Sequence, residues 1–399
     1  MTYFYHVPPS AAPVYLKDIY NSLKGLLYVE DYLQKFQREL EEYFQTRNAF
    51  LISSGRAALT IILQALYRIA GNVRKNEVII PAYTCYSVPA SINKTGLKVR
   101  LCDIDQNTLD FDYSLLPDII SERTLAVIPC SLFGIPSDIE RLQNIIAGRK
   151  VFIIDDAAQA MGVSVNGRLA GTRGDIGLFS LDRGKNFTTV EGGIIVTNRV
   201  DIADQVKRIL NGLDGYTKVS QFVILIKAVI ISQILRPFLY WIAANFPGLG
   251  VGGTFYSTRF SLKSMSNTQA GLAWNWLEKL AGFNLARKEN TEYYYKEFAG
   301  IQNIRCLNGN PEATYHRFPF FLNGIKNKDM NRLKLLGMSQ RYPDSIDHIP
   351  ELKFQNNNNY PVASSVSKNL LCLPTHLDFN KSSRQKLVQQ LKKLGRNSR

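Results

Sequence analysis

Short apolar runs alternate with segments of helical periodicity through the first half of the chain. Six runs predict buried strands, at residues 77–81, 97–104, 125–129, 150–155, 175–181 and 193–197. Between several of them apolar residues recur at the spacing of a helix face, as in residues 57–69. Strands that alternate with helices predict an α/β fold with a mostly parallel sheet covered by helices.

The pattern changes after about residue 261. A helical segment at 268–295 leads to an alternating strand at 315–322, and an apolar segment at 370–374 precedes a basic amphipathic helix at 381–399. We therefore expect a large domain over residues 1–260 and a smaller α+β domain over residues 261–399.

An apolar stretch at residues 222–246, FVILIKAVIISQILRPFLYWIAANF, is long enough to cross a bilayer. Lys227 and the Arg236–Pro237 pair interrupt it, and a proline removes a helical hydrogen bond. The stretch therefore predicts two shorter helices. Three interpretations stay open: a buried insertion or subunit contact, docking on a membrane surface, and a true span.

The net positive charge of the chain indicates which classes of binding partner to expect. The chain has 48 Lys and Arg against 33 Asp and Glu, and this excess favours anionic partners: nucleic acid, anionic lipid or phosphorylated small molecules, among which the charge alone does not choose. The five cysteines are scattered, with no C-x-x-C pair, which fits a reducing compartment. The N-terminus lacks a secretory pattern and the four histidines lack ligand spacing. We expect a cytoplasmic protein without a metal site.

The first candidate site segment is residues 54–57, Ser-Gly-Arg-Ala, where an apolar strand turns into a helix. Main-chain N–H groups and the positive end of the helix dipole at such a turn form a seat for a phosphate group. The same residues also make an ordinary helix N-cap, so the turn alone does not identify a ligand.

Two further segments follow predicted strands, where open α/β sheets bind ligands. Asp156 and Gln159 are separated by two alanines, which let a flat ligand approach. The carboxylate can hold a protonated ring nitrogen or cap a helix. Lys185 lies among small and polar residues. If desolvated, it is a nucleophilic amine suited to a Schiff base; if exposed, it is an ordinary surface charge.

Together these segments resemble the DegT/DnrJ/EryC1/StrS sugar aminotransferases, pyridoxal 5'-phosphate (PLP) enzymes of fold type I. The resemblance extends over nearly the whole chain. Its most specific part is D-A-A-Q at 156–159, followed by F-S-x-x-x-x-K-N at 179–186 and E-G-G at 191–193. It implies a large PLP-binding domain with a mostly parallel mixed sheet and a smaller C-terminal α+β domain.

The resemblance also implies roles for individual residues. Lys185 would form the Schiff base and move protons, Asp156 would pair with the pyridinium nitrogen, and Gln159 would lie near the ring hydroxyl. Ser180 and residues 55–57 would hold the phosphate. The expected cofactor-binding residues are Ser54, Gly55, Arg56, Ala57, Cys85, Tyr86, Asp156, Gln159, Ser180, Lys185 and Asn186.

The chain departs from the family pattern at three positions. Arg56 stands where the family usually has threonine, and Leu262 where an asparagine reaches the partner subunit's phosphate. Cys85 aligns with the aromatic residue that stacks on the cofactor, so Tyr83 or Tyr86 is the alternative. Our hypothesis is that the charge of Arg56 offsets the loss at Leu262.

The resemblance implies transfer of an amino group from an amino acid, glutamate in the first place, to a nucleotide-linked keto sugar in polysaccharide or glycan biosynthesis. It further implies a homodimer and no nucleic-acid partner, and residues 222–246 would add a subunit contact or a peripheral membrane contact. One alternative is a PLP-dependent dehydratase, although family dehydratases replace the lysine with histidine. The other is a non-catalytic, PLP-bound regulator or membrane scaffold.

Overall fold

The computed structural model describes residues 5–28, 31–245, 255–323, 327–352 and 359–396. The helices are α1 (Leu16–Leu27), α2 (Tyr32–Phe44), α3 (Gly55–Ala70), α4 (Ser87–Lys94), α5 (Leu116–Ile119), α6 (Ile139–Ile145), α7 (Val200–Leu210), α8 (Lys218–Ile234), α9 (Pro237–Asn245), α10 (Asn267–Leu272), α11 (Trp276–Phe298), α12 (Asn327–Leu335), α13 (Pro361–Asn369) and α14 (Lys381–Arg396). The strands are β1 (Asn48–Ile52), β2 (Glu77–Pro81), β3 (Lys98–Cys102), β4 (Thr124–Val127), β5 (Phe152–Asp156), β6 (Ser164–Val165), β7 (Arg168–Leu169), β8 (Ile176–Ser180), β9 (Gly193–Thr197), β10 (Ile304–Cys306), β11 (Arg317–Leu322), β12 (Ser339–Gln340) and β13 (Leu370–Pro374).

The large sheet has seven strands in the order β1-β9-β8-β5-β4-β2-β3. The five strands from β8 to β3 are parallel, and β9 runs antiparallel to both β8 and β1. Successive residues face opposite sides of the sheet. Leu178 and Ile195 pack in the cluster that includes α3, whereas Phe179 and Ile194 pack in the cluster that includes α2. The expected α/β fold with a mostly parallel mixed sheet is confirmed.

A second sheet lies in the C-terminal part, where β10, β11, β13 and β12 pair antiparallel in that order. Leu387 and Leu391 of α14 pack on it with Phe318 and Phe320. The expected alternation along β11 is wrong, because all six of its residues are buried. β11 is an inner strand covered on both faces, and Phe321 on its other face joins the core of the large sheet.

The expected continuous helix over 268–295 is also wrong. The structure breaks it between α10 and α11, where Asn275 adopts a left-handed conformation with φ 50°. The turn directs Trp276 into the core, where its ring packs 5.7 Å from that of Phe36 and its Nε1 donates to Glu39 Oε2 at 3.0 Å. Burial of this large ring is the physical reason for the break.

The apolar stretch forms two helices, as expected: α8 and α9, bent by 118° at Arg236. Among the described residues no single helix is long and apolar enough to cross a membrane, although this bent pair reaches the length and composition together. One side of α8 packs in a cluster with Val14, Val190 and Leu272. The other side exposes Phe222, Val223, Ile226, Val229 and Ile230.

Candidate active site

The residues of the sequence motifs meet at the carboxyl edge of the large sheet. β5 ends at Asp156, β8 ends at Ser180, and Gly193 at the start of β9 pairs with Ser180. α3 begins at Gly55, next to that pair: a methyl group added to Gly55 would lie 2.9 Å from Ser180 Cβ. Segments distant in sequence therefore form one site where parallel α/β sheets bind ligands.

The turn into α3 is built as a helix N-terminus. Ser54 is extended (φ −164°, ψ 161°), and its Oγ accepts a hydrogen bond from the Ala57 N–H at 3.1 Å. The first turn of a helix leaves further N–H groups without an intrahelical partner, which favours an anion. The Arg56 guanidinium lies 5.0 Å from the centre of the Phe260 ring. This places a cation and a helix end side by side.

Asp156 is buried, with 8% of its surface exposed. Its Oδ1 accepts from the Ala158 N–H at 3.0 Å and its Oδ2 accepts from Cys130 Sγ at 3.7 Å. Burial raises the pKa of this carboxyl, and the Ala158 N–H and the Lys185 charge oppose that rise. A buried carboxylate with so few donors is stabilised by a cation in direct contact.

Lys185 lies on the loop after β8, half-buried beside Asp156. Burial lowers the pKa of the Lys185 amine, Arg317 lowers it further, and Cys85 and Asp156 act against this. The amine therefore loses its proton more readily than that of a surface lysine, as a nucleophile or base requires. Of the two sequence alternatives for Lys185, the structure favours the desolvated amine.

Arg287 of α11 fixes the Lys185 loop. It is fully buried, and its two terminal nitrogens donate to the carbonyl oxygens of Lys185 at 3.1 Å and Asn186 at 3.0 Å. The Asn186 side chain donates to Asn284 Oδ1 at 3.3 Å. Sequence reasoning missed Arg287, because an arginine within a helical segment carries no motif signal.

Gln159 and two tyrosines connect the sheet edge to the C-terminal part of the chain. Gln159 Oε1 accepts from the Phe133 N–H at 3.0 Å, and its Nε2 donates to the Tyr342 hydroxyl at 3.3 Å. Tyr83 donates to the Arg341 carbonyl at 2.8 Å, and its ring packs on Tyr342 with a centroid distance of 5.9 Å.

Tyr86 and Cys85 lie beside the same C-terminal segment. The Tyr86 hydroxyl donates to the Asp344 carbonyl at 2.9 Å, and its ring lies 5.8 Å from that of Tyr342. Cys85 Sγ accepts from the Ser87 hydroxyl at 2.9 Å. Both tyrosine hydroxyls are thus engaged with residues 341–344, while Cys85 lies near Lys185.

The loop between Lys185 and the E-G-G segment contains a strained residue. Val190 has φ 73°, a conformation that β-branched residues rarely adopt. Its side chain is buried against Ile224, Ala228 and Ile231 of α8. The next residue, Glu191, is paired through its carboxylate with Lys227 of α8. α8 therefore holds this loop in place.

These residues fit PLP. The buried carboxylate of Asp156 suits a protonated ring nitrogen, Lys185 supplies an amine with a lowered pKa, and the α3 N-terminus with Ser180 suits a phosphate. The close approach of Gly55 to Ser180 leaves no room for a side chain at that turn.

Comparison with known proteins decides the family. The model of the DegT/DnrJ/EryC1/StrS aminotransferase family matches residues 15–392. The chain belongs to this family. DegT/DnrJ/EryC1/StrS aminotransferases are PLP-dependent, and the cofactor expected from the sequence is confirmed at this level. Dehydratases occur among the relatives as well.

Two relatives illustrate both kinds of activity. GDP-4-keto-6-deoxy-D-mannose 3-dehydratase of Yersinia pseudotuberculosis is 33% identical over 42% of this chain and 43% of the relative. GDP-perosamine synthase of Escherichia coli O157:H7 is 34% identical over 44% of this chain and 47% of the relative. Each alignment thus spans less than half of the relative's length.

A solved structure confirms the fold. The E. coli GDP-4-keto-6-deoxy-D-mannose-3-dehydratase with bound hydrated PLP superposes with a TM-score of 0.77, at 22% sequence identity, over 98% of this chain and 100% of that chain. At this identity the match establishes the family architecture and leaves the reaction to be argued from the site.

Proposed function

We propose that this chain is a PLP-dependent aminotransferase that moves an amino group from an amino acid, glutamate in the first place, to a nucleotide-linked keto sugar for polysaccharide or glycan biosynthesis. The observation that carries the proposal is the position of Lys185 on the loop after β8, close enough to Asp156 at the end of β5 for their charges to interact: an amine of lowered pKa near a buried carboxylate. The family and its relatives that act on GDP-linked sugars support the substrate class.

The residues divide the work by position. When bound, PLP supplies an electron-withdrawing ring that stabilises negative charge on the substrate carbon. Asp156 holds the ring cation, and its burial makes that ion pair strong. Lys185 Nζ would accept the proton from the α-carbon of the amino donor and deliver it to the cofactor carbon that is bonded to the donor nitrogen. Residues 54–57 and Ser180 hold the phosphate end.

Elimination is the second candidate, because two of the relatives are GDP-4-keto-6-deoxy-D-mannose 3-dehydratases. The residue at position 185 argues against it. A lysine amine returns to the cofactor after each turnover, and it provides the base that amino transfer needs. The sequence expectation that dehydratases carry histidine here makes Lys185 the discriminating residue.

The test is an absorbance spectrum of the purified, PLP-loaded protein before and after addition of glutamate. We expect the cofactor band to shift without any sugar present, and 2-oxoglutarate to accumulate in one equivalent. Lys185→Ala should abolish both. Lys150→Ala is the matched control that should leave both unchanged, since Lys150 is an exposed lysine just before β5, at the opposite end of that strand from Asp156.

A second measurement separates the two reactions. Incubation with GDP-4-keto-6-deoxy-D-mannose and glutamate should give an aminated sugar by mass spectrometry. A deoxygenated sugar, or a spectrum that glutamate does not change, would overturn the proposal in favour of elimination or of a non-catalytic role.

We propose in addition that the working assembly is a homodimer, as the resemblance implies. Phe255 is 77% exposed, close in sequence to Tyr256, which accepts a hydrogen bond from Asn93 beside the α3 turn. An exposed aromatic next to the phosphate end suits a subunit contact. Light scattering should give about twice the chain mass, and Phe255→Ser should shift it towards the monomer. A wild-type mass of one chain would contradict the dimer.

A further inference from the structure

A buried arginine near Lys185 has no acidic partner among the residues that the structure describes. Arg317, at the start of β11, is 7% exposed. Its terminal nitrogens contact His316 Nε2 at 2.8 Å and Ser10 Oγ at 2.6 Å, and its Nε has no partner within the described part of the chain. Both contacts are to neutral groups, since burial keeps the pKa of His316 well below its usual value.

The surroundings of Arg317 add positive charge. Burial, and then the charge of Arg341, lowers the pKa of Arg317 to about 10. Arg287 and Lys185 also lie close enough to Arg317 for their charges to interact. The buried carboxylate of Asp156 lies near Lys185 and would pair with the ring cation of the cofactor. A guanidinium in a dry site is stabilised by a counter-charge, so the surroundings of Arg317 suit an anionic ligand.

The position of Arg317 indicates which anion. Ser10 Oγ accepts from Arg317 and donates to the Gly184 carbonyl at 3.1 Å, one residue before Lys185. The guanidinium is thus tied to the loop that carries the base. In an amino-acid donor, the carboxylate is attached to the same carbon from which Lys185 removes the proton. The phosphates of a nucleotide-linked sugar lie several bonds further from its reacting carbon.

We propose that Arg317 binds the carboxylate of the amino-acid donor, through the paired N–H groups of its guanidinium. This inference rests on the proposed amino transfer. The planar fork of arginine matches the two oxygens of a carboxylate, and such charge-assisted bonds are the strong ones. Arg317 would therefore select carboxylate-bearing donors over simple amines.

The experiment measures binding of glutarate to the PLP-loaded protein by calorimetry. Glutarate has the carboxylates of glutamate without its amine, so binding is read without amino transfer. We expect Arg317→Gln to weaken binding by roughly ten- to a hundredfold, which corresponds to the loss of charge-assisted hydrogen bonds. Arg317→Lys keeps the charge and should lose less. Arg74→Gln, an exposed arginine near the start of β2, is the matched control.

GDP affinity is measured in parallel and should be unchanged in Arg317→Gln. Equal glutarate affinity in wild type and Arg317→Gln would overturn the proposal, and so would a loss of GDP affinity instead. If Arg317→Gln does not fold, Arg317→Lys decides by the same comparison. A protein that binds glutarate through Arg317 but does not transfer an amino group would contradict the proposed function alone.

A separate observation concerns the outer surface of α1 and α8, which pack against each other. Both helices present apolar side chains to solvent, and we call this the α1/α8 face. Its exposed members are Leu16, Tyr20, Leu23, Leu27, Phe222, Val223, Ile226 and Ile230. Proteins without a partner rarely expose contiguous apolar surface on this scale.

Charge selects the occupant of the α1/α8 face. The one acid within the described residues of α1, α8 and α9 is Asp18, which is buried and paired with Lys279 at 2.8 Å. Lys17, Lys218 and Arg236 are exposed on these helices or between them. A symmetric second copy would bring these cations face to face, because the same patch occurs on both sides of a twofold interface. Anionic lipid would complement them.

We propose that the α1/α8 face docks on an anionic membrane surface. Sedimentation with vesicles of phosphatidylcholine alone and with added phosphatidylglycerol should show binding to the anionic vesicles only. The double variant Phe222→Ser/Ile226→Ser should lose it, while Val73→Ser, which changes an even more exposed apolar residue elsewhere, should not. Absence of vesicle binding, or conversion of the double variant to a monomer with binding retained, would overturn the proposal.

Discussion

His376 makes stability dependent on pH in a way that can be calculated. It is 2% exposed, and its Nε2 donates to the Pro8 carbonyl at 2.9 Å, which attaches the N-terminal segment to the C-terminal part of the chain. Burial lowers its pKa from 6.5 to about 4, with Arg287 and Arg317 acting in the same direction and the Pro8 hydrogen bond against it. The folded protein therefore holds this ring neutral.

The sign follows from proton binding. Below pH 6.5 the unfolded chain binds a proton at His376 that the folded chain refuses, so the free energy of unfolding falls as the pH falls. The pKa difference corresponds to about 3 kcal/mol in total, of which about 2 kcal/mol is lost between pH 7 and pH 5. The remainder is lost as the pH falls through the folded pKa of about 4, and the loss is complete below it.

Urea unfolding followed by circular dichroism, at about pH 7 and pH 5, tests this. His376→Gln can keep the hydrogen bond to Pro8 but does not titrate, so its loss of stability should be smaller than that of the wild type by about 2 kcal/mol. His348→Gln, at an exposed histidine, is the matched control and should behave like the wild type. The same pH dependence in His376→Gln and wild type would refute the reasoning.

Three further outcomes are expected. Arg56→Ala should weaken PLP affinity at least tenfold in a fluorescence titration, because a charge-assisted contact to phosphate is lost; unchanged affinity would refute its proposed role. Arg287→Met should lower the free energy of unfolding by about 2–4 kcal/mol and slow amino transfer, since the carbonyls of Lys185 and Asn186 lose their donor; normal kinetics would count against this positioning. Gly282→Ala, in open space on α11, should raise thermal stability by about 1 kcal/mol, and no gain would contradict the helix assignment.

Much of the fold could be predicted from the sequence because the strands of the large sheet are apolar on both sides. Predicted strands such as 193–197 and 175–181 match β9 and β8 within a residue or so. The burial of both faces of β11 could not be predicted in the same way. Its two faces pack against different parts of the chain, which only folding brings together. The break in the helix before Trp276 also depends on tertiary packing, because it places the Trp276 ring in the core. No residue close to it in sequence indicates this break.

The residues of the candidate site likewise fall into two groups: those that the sequence indicates and those that it does not. Asp156, Lys185 and the turn at Gly55 follow strands in recognisable motifs, and the structure brings them together. Arg317 and Arg287 come from the C-terminal part and carry no motif. Their proposed roles depend on their burial and, for Arg317, on the lack of an acidic partner among the described residues. Both are properties of the folded chain. The sequence shows which reactive side chains follow a strand. It does not show which arginine, distant in sequence, lies beside them in the folded protein.

The backbone at Val190 has a consequence for any shortened version of this protein. The unfavourable φ angle of Val190 is maintained because its side chain packs against α8. The neighbouring Glu191 forms an ion pair with Lys227 of the same helix. Deleting the apolar helices α8 and α9 to ease purification would remove the packing that holds Val190 in this conformation. The turn would then relax, and the candidate site would lose its shape although α8 and α9 contribute none of the residues proposed to bind the cofactor.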